Sequence, residues 1–199
     1  MNFQVLSLVV GGYLLGSISP SYIFYKKATG KDIREAGDGN PGAANIFNMM
    51  GSTPAFIVAF IDYCKGIVPL FVARILGTGD FYLIPIGMAT VIGHDYSIFL
   101  KFRGGKGTLT SLGVLSFYVP IETILAFSVW LFIHYILKIR FIGSLITFIL
   151  VVVFTWAISC RLLGGPFYYL LLPSGIGALF LLNMYGNIRN FFQKGFEKG

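Results

Sequence analysis

The sequence predicts an all-α, polytopic integral membrane protein: a bundle of about seven transmembrane helices forming one domain over residues 1–199. Three observations carry that prediction. Of the 199 residues, 56% are hydrophobic and 12% charged, whereas a soluble domain carries about 25% charged residues. A globule of this size has no interior large enough for so much apolar surface, so lipid must be its solvent. Apolar stretches near bilayer length also recur along the chain, with basic residues gathered between alternate stretches.

The first span runs from about Phe3 to Tyr25. It lacks a basic segment ahead of it and is long enough to cross, so it reads as a retained helix rather than a cleaved leader. The second runs from about Thr53 to Leu76 and the third from about Phe81 to Leu100. Gly66 and Pro69 predict a break or kink in the second. The fourth, Gly107 to Tyr118, falls short of the ~20 residues that cross a bilayer core, so it is expected to tilt or to lie in a thinned, protein-lined region. The fifth spans about Val119 to Leu137, the sixth Phe141 to Ser159 and the seventh Pro166 to Tyr185.

Charge orients these spans. Lys26, Lys27, Lys31 and Arg34 follow the first, and Lys101, Arg103 and Lys106 follow the third. Lys138 and Arg140 follow the fifth, and Arg189, Lys194 and Lys198 the seventh. Alternating spans put all of them on one face, leaving Arg74 and Arg161 on the other. The basic face is therefore cytoplasmic, with the N-terminus outside and the C-terminus inside. The formal charge of +7 is then largely that of one face. It suits anionic headgroups or anionic substrates, with membrane lipid and not nucleic acid as the macromolecular partner. Cys64 and Cys160 sit in apolar runs without metal-ligand spacing, and neither a metal nor another cofactor is expected. The absence of an internal repeat weighs against the duplicated halves of transporters. Oligomeric state is left open, a monomer included.

Two glycine-rich segments interrupt the apolar pattern. In Gly37-Asp38-Gly39-Asn40-Pro41-Gly42-Ala43-Ala44-Asn45, the glycines offer free N–H groups and Asn40 and Asn45 add amides, a composition suited to an anion-binding nest. A plain turn between two spans explains the same residues, and Asp38 would repel a phosphate. In Phe102-Arg103-Gly104-Gly105-Lys106-Gly107, two cations flank glycines that clear room for a phosphate. The spacing is not that of a Walker loop, and a basic anchor with a flexible turn is the plainer alternative. Asp62 and Lys65 lie about midway along the second span, where each costs roughly 3 kcal/mol to insert. Their i, i+3 spacing lets them pair, either as a self-neutralising structural unit or as part of a polar cavity. His94 ends the third span about ten residues before Arg103-Gly104-Gly105 and either shares that site or serves as a structural hydrogen bonder.

In order along the chain, the segments resemble one family. They are Leu15-Gly16-Ser17-Ile18-Ser19-Pro20, Asp32-Ile33-Arg34, the Gly37–Asn45 run, Met50-Gly51, and Asp62-x-x-Lys65-Gly66-x-x-Pro69. Gly93-His94, Phe99-Leu100, Phe102–Thr108, Asn187-Ile188-Arg189 and Gly195-x-Glu197 follow. The set is similar to the membrane acyl-phosphate:glycerol-3-phosphate acyltransferases, the PlsY family, over nearly the whole chain. The resemblance implies seven spans and a cytosolic-face site in a bacterial inner membrane. It also implies acyl transfer from acyl phosphate to the 1-hydroxyl of glycerol 3-phosphate, giving lysophosphatidic acid. It assigns Arg103, Gly104, Gly105, Lys106 and Gly107 to glycerol 3-phosphate. Asn40, Asn45 and Asn187 would orient the acyl phosphate and the oxyanion, with Gly37, Gly39 and Gly42 in the same loop and Arg34, Lys65 and His94 nearby. Five positions depart from the family pattern: Asp38, Ala44 and Asn48 stand for serine, threonine and arginine, Met184 for histidine, and Gly143, next to Ser144, for serine. Arg34 is the expected partner for Asp38. A phosphate- or lipid-binding protein without catalysis and a small anion transporter are the other classes the residues allow. The one-sided charge disfavours the transporter.

Overall fold

A computed structural model describes residues 3–133 and 140–196, and the side chains of 3–133 and 146–183. The regular elements among the described residues are all helical. Helices α1 (Phe3–Ser17) and α2 (Pro20–Thr29) are followed by α3 (Ala43–Met50), α4 (Ser52–Ile75) and α5 (Asp80–Asp95). Then come α6 (Thr108–Tyr118), α7 (Pro120–Phe132), α8 (Arg140–Phe154) and α9 (Leu171–Phe196). A π-helical stretch, Thr155–Leu162, prolongs α8.

Over the described residues each of the seven predicted segments is largely helical; residues 134–137 of the fifth, and Lys138 after it, lie outside them. By length and composition Phe3–Thr29, Ser52–Ile75 and Asp80–Leu100 are long and apolar enough to cross a membrane. Over the residues whose side chains are described, the apolar stretches Thr108–Tyr118, Pro120–Phe132, Ile146–Leu162 and Phe167–Asn183 are shorter. The brevity of α6 matches expectation.

The first predicted span is not one helix. It stops at Ser17 and restarts at Pro20, where Ser19 caps α2 by accepting the Tyr22 N–H at 3.3 Å. Proline at the first helical position lacks only an N–H that would be unpaired there, which suits Pro20 to starting α2. An interruption inside an apolar bundle frees carbonyls that must find donors. Ser97 Oγ donates to the Ser17 carbonyl at 2.6 Å, and Lys65 Nζ to the Ile18 carbonyl at 2.7 Å. The second span shows the opposite outcome, since α4 continues as α-helix through Gly66 and Pro69.

Gly66 serves packing instead. A Cβ there would strike the Thr110 carbonyl of α6, and one at Gly113 would strike the Tyr63 carbonyl of α4. The crossing of α1 with α5 is built likewise, with Gly16 against the Thr90 carbonyl and Gly93 against the Tyr13 carbonyl. With lipid on the outside, helices associate through such backbone approach and not through hydrophobic contrast. The main apolar core gathers Leu70, Leu83, Ile86, Val114, Leu172 and Ile176 from α4, α5, α6 and α9. A smaller core of Tyr25, Ile33, Ile46, Ala55 and Val58 seats the first loop and α3 on α2 and α4. That seating positions the candidate site.

Candidate functional site

Where the two glycine-rich segments meet, they enclose a cavity of about 280 Å³. Asp38, Asn40, Gly42, Ala43 and Ala44 line it from the first segment, and Lys106, Gly107, Thr108 and Leu109 from the second. Asp62 and His94 complete it. Two helix N-termini open on this space, that of α3 with Gly42 as N-cap and that of α6 with Gly107 as N-cap. Neither has a side-chain cap, so first-turn N–H groups remain available to an anion. The Lys106 ammonium adds a full charge to two partial ones.

Not every predicted residue faces the cavity. Asn40, Gly42, His94, Lys106 and Gly107 do. Gly104 and Gly105 lie behind it, their N–H groups donating to the Asp95 and His94 carbonyls at 3.0 and 3.1 Å. These glycines strap the loop over the end of α5, and a Cβ on Gly105 would strike His94 Nε2. Arg103 is exposed beside the strap and does not line the cavity. Asn45 is fully buried; its Nδ2 donates to the Ala36 carbonyl at 2.9 Å while its Oδ1 accepts the Asp38 N–H at 3.2 Å. It braces the first loop from below. Gly37 and Gly39 take left-handed φ values of 61° and 73° in the turns around Asp38. Asn187 falls in α9, and its side chain, like that of Met184, lies outside the described residues.

Arg34 is not the partner of Asp38. Its Nε and Nη2 grip Asp32, with Nη2 to Oδ2 at 2.6 Å, and Nη1 donates to the Leu100 carbonyl at 2.7 Å. With that geometry taken up, Asp38 caps its own turn by accepting the Asn40 N–H at 2.9 Å. The Arg34 guanidinium beside Asp32 holds that carboxyl below the usual carboxylate range, and Asp32 in turn raises Arg34.

Lys65 is likewise internal. Its Nζ lies 2.8 Å from Asp62 Oδ1, but its hydrogen bond goes to the Ile18 carbonyl, leaving Asp62 Oδ1 an ionic neighbour without a directed bond. His94 Nδ1 stands 3.5 Å from the same oxygen and 3.2 Å from Thr110 Oγ1. The Thr110 hydroxyl donates to the Asp62 carbonyl at 3.1 Å, so it accepts from Nδ1–H. That assignment leaves Nε2 as an acceptor under Gly105. Asp62 lines the cavity, one of the two roles its sequence left open, while Thr108 and Leu109 are cavity residues that sequence reasoning did not choose. Asp62 carried a signal in its i, i+3 partner, while Thr108 and Leu109 carried none beyond starting a helix.

Thr108 and Leu109 also border a second cavity of about 140 Å³ between α6, α7 and α8. Its other walls include Leu112, Leu115, Phe127, Trp130, Phe148 and Val151. A chamber lined by charged and polar side chains thus adjoins an apolar one at the first turn of α6.

The fold is that of a polytopic helical membrane protein, with a polar cavity beside an apolar one where its two glycine-rich segments meet. Residues 6–194 match the family model described as glycerol-3-phosphate acyltransferase, and the chain belongs to that family. The glycerol-3-phosphate acyltransferase of Photobacterium profundum is 35% identical over 97% of this chain and 92% of its own. That of Shouchella clausii is 44% identical over 58% of each. Among solved structures, PlsY, an integral membrane glycerol 3-phosphate acyltransferase, superposes in its glycerol 3-phosphate form with a TM-score of 0.85. The identity is 33%, covering 96% of this chain and 93% of that one. Its lysophosphatidic acid form gives 0.83 at 32% identity.

Proposed function

We propose that this chain transfers an acyl group from an acyl phosphate to the 1-hydroxyl of glycerol 3-phosphate, giving lysophosphatidic acid and inorganic phosphate in phospholipid synthesis. The observation that carries the reading is the junction at Thr108–Leu109. There a chamber with Lys106 and two uncapped helix N-termini meets an apolar chamber. Two phosphates and one acyl chain need that combination.

In this reading Lys106 and the α6 N-terminus at Gly107 bind the phosphate of glycerol 3-phosphate. Asn40 and the α3 N-terminus take the acyl phosphate, with Asn187 as a further group from α9. The acyl chain enters between α6, α7 and α8. The acceptor oxygen attacks the acyl carbon, the bond from that carbon to the phosphate oxygen breaks, and the hydroxyl proton passes to phosphate. A phosphate monoester whose second pKa is about 6 can accept that proton, so no strong protein base is required. Most of the acceleration then comes from aligning two anions and stabilising the tetrahedral oxyanion. Gly104, Gly105, Asn45, Arg34 and Lys65 build the frame, and residues 1–199 act as one catalytic unit. In this reading the site faces the cytoplasm at a bacterial inner membrane, which the one-sided distribution of basic loops supports.

The test is turnover of the purified protein with palmitoyl phosphate and radiolabelled glycerol 3-phosphate. Labelled lysophosphatidic acid released with equimolar phosphate is expected. Binding of glycerol 3-phosphate without turnover would replace this reading with that of a non-catalytic binder.

A further inference from the structure

We propose that Asp95 is a positioning residue of this site, holding helix α9 to the phosphate strap; the role rests on the acyl-transfer reading above. Asp95 ends α5 and is 5% exposed. Its Oδ2 accepts from Asn183 Nδ2 of α9 at 2.5 Å. Its carbonyl accepts the Gly104 N–H at 3.0 Å. Its Oδ1 has no hydrogen-bond partner and lies against Gly107, where a Cβ would strike it. One buried residue thus touches both ends of the strap, with its backbone carbonyl at Gly104 and its side chain at Gly107, and its carboxylate also reaches the helix opposite.

Asn183 is held on its other side as well. Its Oδ1 accepts from the Tyr96 hydroxyl at 3.0 Å, and the Tyr13 hydroxyl donates to the Tyr96 carbonyl at 2.9 Å. The polar chain therefore runs from α1 through the end of α5 into α9. Asn187 lies one helical turn beyond Asn183 on the same helix. Whatever fixes Asn183 constrains the next turn of α9, which carries Asn187.

Packing alone does not account for this carboxylate. A buried acid with one orphan oxygen costs free energy that an apolar side chain of similar size would not. Its geometry serves alignment, since the strap holds one reactant and α9 contributes to holding the other. Misalignment of two bound reactants lowers the rate of the chemical step and leaves binding of each largely intact.

The experiment is a swap across the pair, read in the full-length protein as kcat, as glycerol 3-phosphate affinity by calorimetry, and as unfolding temperature in detergent. Asn183→Asp sets two carboxylates against each other and should lower kcat at least roughly tenfold, with affinity for glycerol 3-phosphate within about threefold of wild type. Asp95→Asn keeps an acceptor oxygen for Asn183 and should be mild. Combining the two restores a carboxylate–amide pair and should recover most of the lost kcat. If Asn183→Asp does not fold, Asn183→Ala is read in its place, with the same expected loss. Unchanged kcat in the single variant, no recovery in the double variant, or affinity falling in parallel with kcat would each overturn the positioning role. Absence of turnover in the wild type would defeat the acyl-transfer reading itself, and this role with it.

Discussion

Arg34 Nη1 donates to the carbonyl of Leu100 at 2.7 Å, across 66 residues of sequence. Nε and Nη2 of the same guanidinium grip Asp32, and the group lies over the Tyr22 ring, 5.8 Å from the centroid. The contact joins the loop after α2 to the loop after α5. Leu100 is followed directly by Lys101 and Phe102, both in left-handed conformations, and then by the strap. Arg34 therefore sets the separation of the two glycine-rich segments, although it lines no part of the cavity.

Replacing it should loosen both the protein and the site. Arg34→Lys keeps the charge but cannot hold Asp32 bidentately while reaching Leu100. The expected loss is roughly 1.5–3 kcal/mol, the scale of a charge-assisted hydrogen bond. Lower unfolding temperature in detergent together with a raised KM for glycerol 3-phosphate would confirm it. An unchanged KM would show that the two loops hold their spacing without this clamp.

Acid should act through the same pair. Asp32 is held below its ordinary value by Arg34, so its folded form binds its proton at lower pH than the unfolded chain does. Its stabilising contribution is full above the unfolded value of about 3.9 and is lost as pH falls through the lower folded value. Unfolding temperature measured from pH 6 downward should fall steeply below about pH 4 in the wild type and less steeply in Asp32→Asn.

The strap separates space from charge. Gly105→Ala should displace the His94 ring, because the new Cβ meets Nε2. Lys106→Ala removes a cation from the cavity wall. The second should weaken glycerol 3-phosphate binding by roughly 1.5–3 kcal/mol, about ten- to hundredfold in KM. Both effects are measured by steady-state kinetics. Normal KM values in both variants would reduce the segment to a membrane anchor.

Asp38 sits at the cavity rim, with its carboxylate taken up by the Asn40 N–H. Asp38→Ser retains an acceptor for that N–H and removes a negative charge. It should lower the KM for acyl phosphate and leave that for glycerol 3-phosphate unchanged. Pairing it with Asn48→Arg, on the exposed side of α3, should extend the gain. A double variant worse than wild type would mean that the site works with the aspartate as it stands.

Topology is checked by cysteine labelling. With Cys64 and Cys160 replaced, single cysteines near Lys31, Arg103, Lys138 and Lys194 should react with impermeant reagent only from the cytoplasmic side. Reaction of any of them in intact cells would reverse the orientation.

Composition, span pattern and loop charge were enough to determine an all-helical membrane protein, because lipid as solvent leaves the backbone few alternatives. The pairing of Asp62 with Lys65 was also legible, since i, i+3 spacing puts both on one helix face. The two glycine-rich segments line one cavity, as the single cytosolic-face site implied by the family resemblance requires. Only the tertiary structure decided which glycines face a ligand and which face protein. Glycine reads alike whether its freedom serves Gly107 at the start of α6 or the close approach of Gly66 to Thr110. Nor does sequence say which acceptor a cation reaches. Arg34 finds Leu100, and Lys65 finds the free carbonyl of Ile18, because those groups are brought to them by helices distant along the chain. Local periodicity specifies the helices, while the destinations of their polar groups depend on how those helices cross.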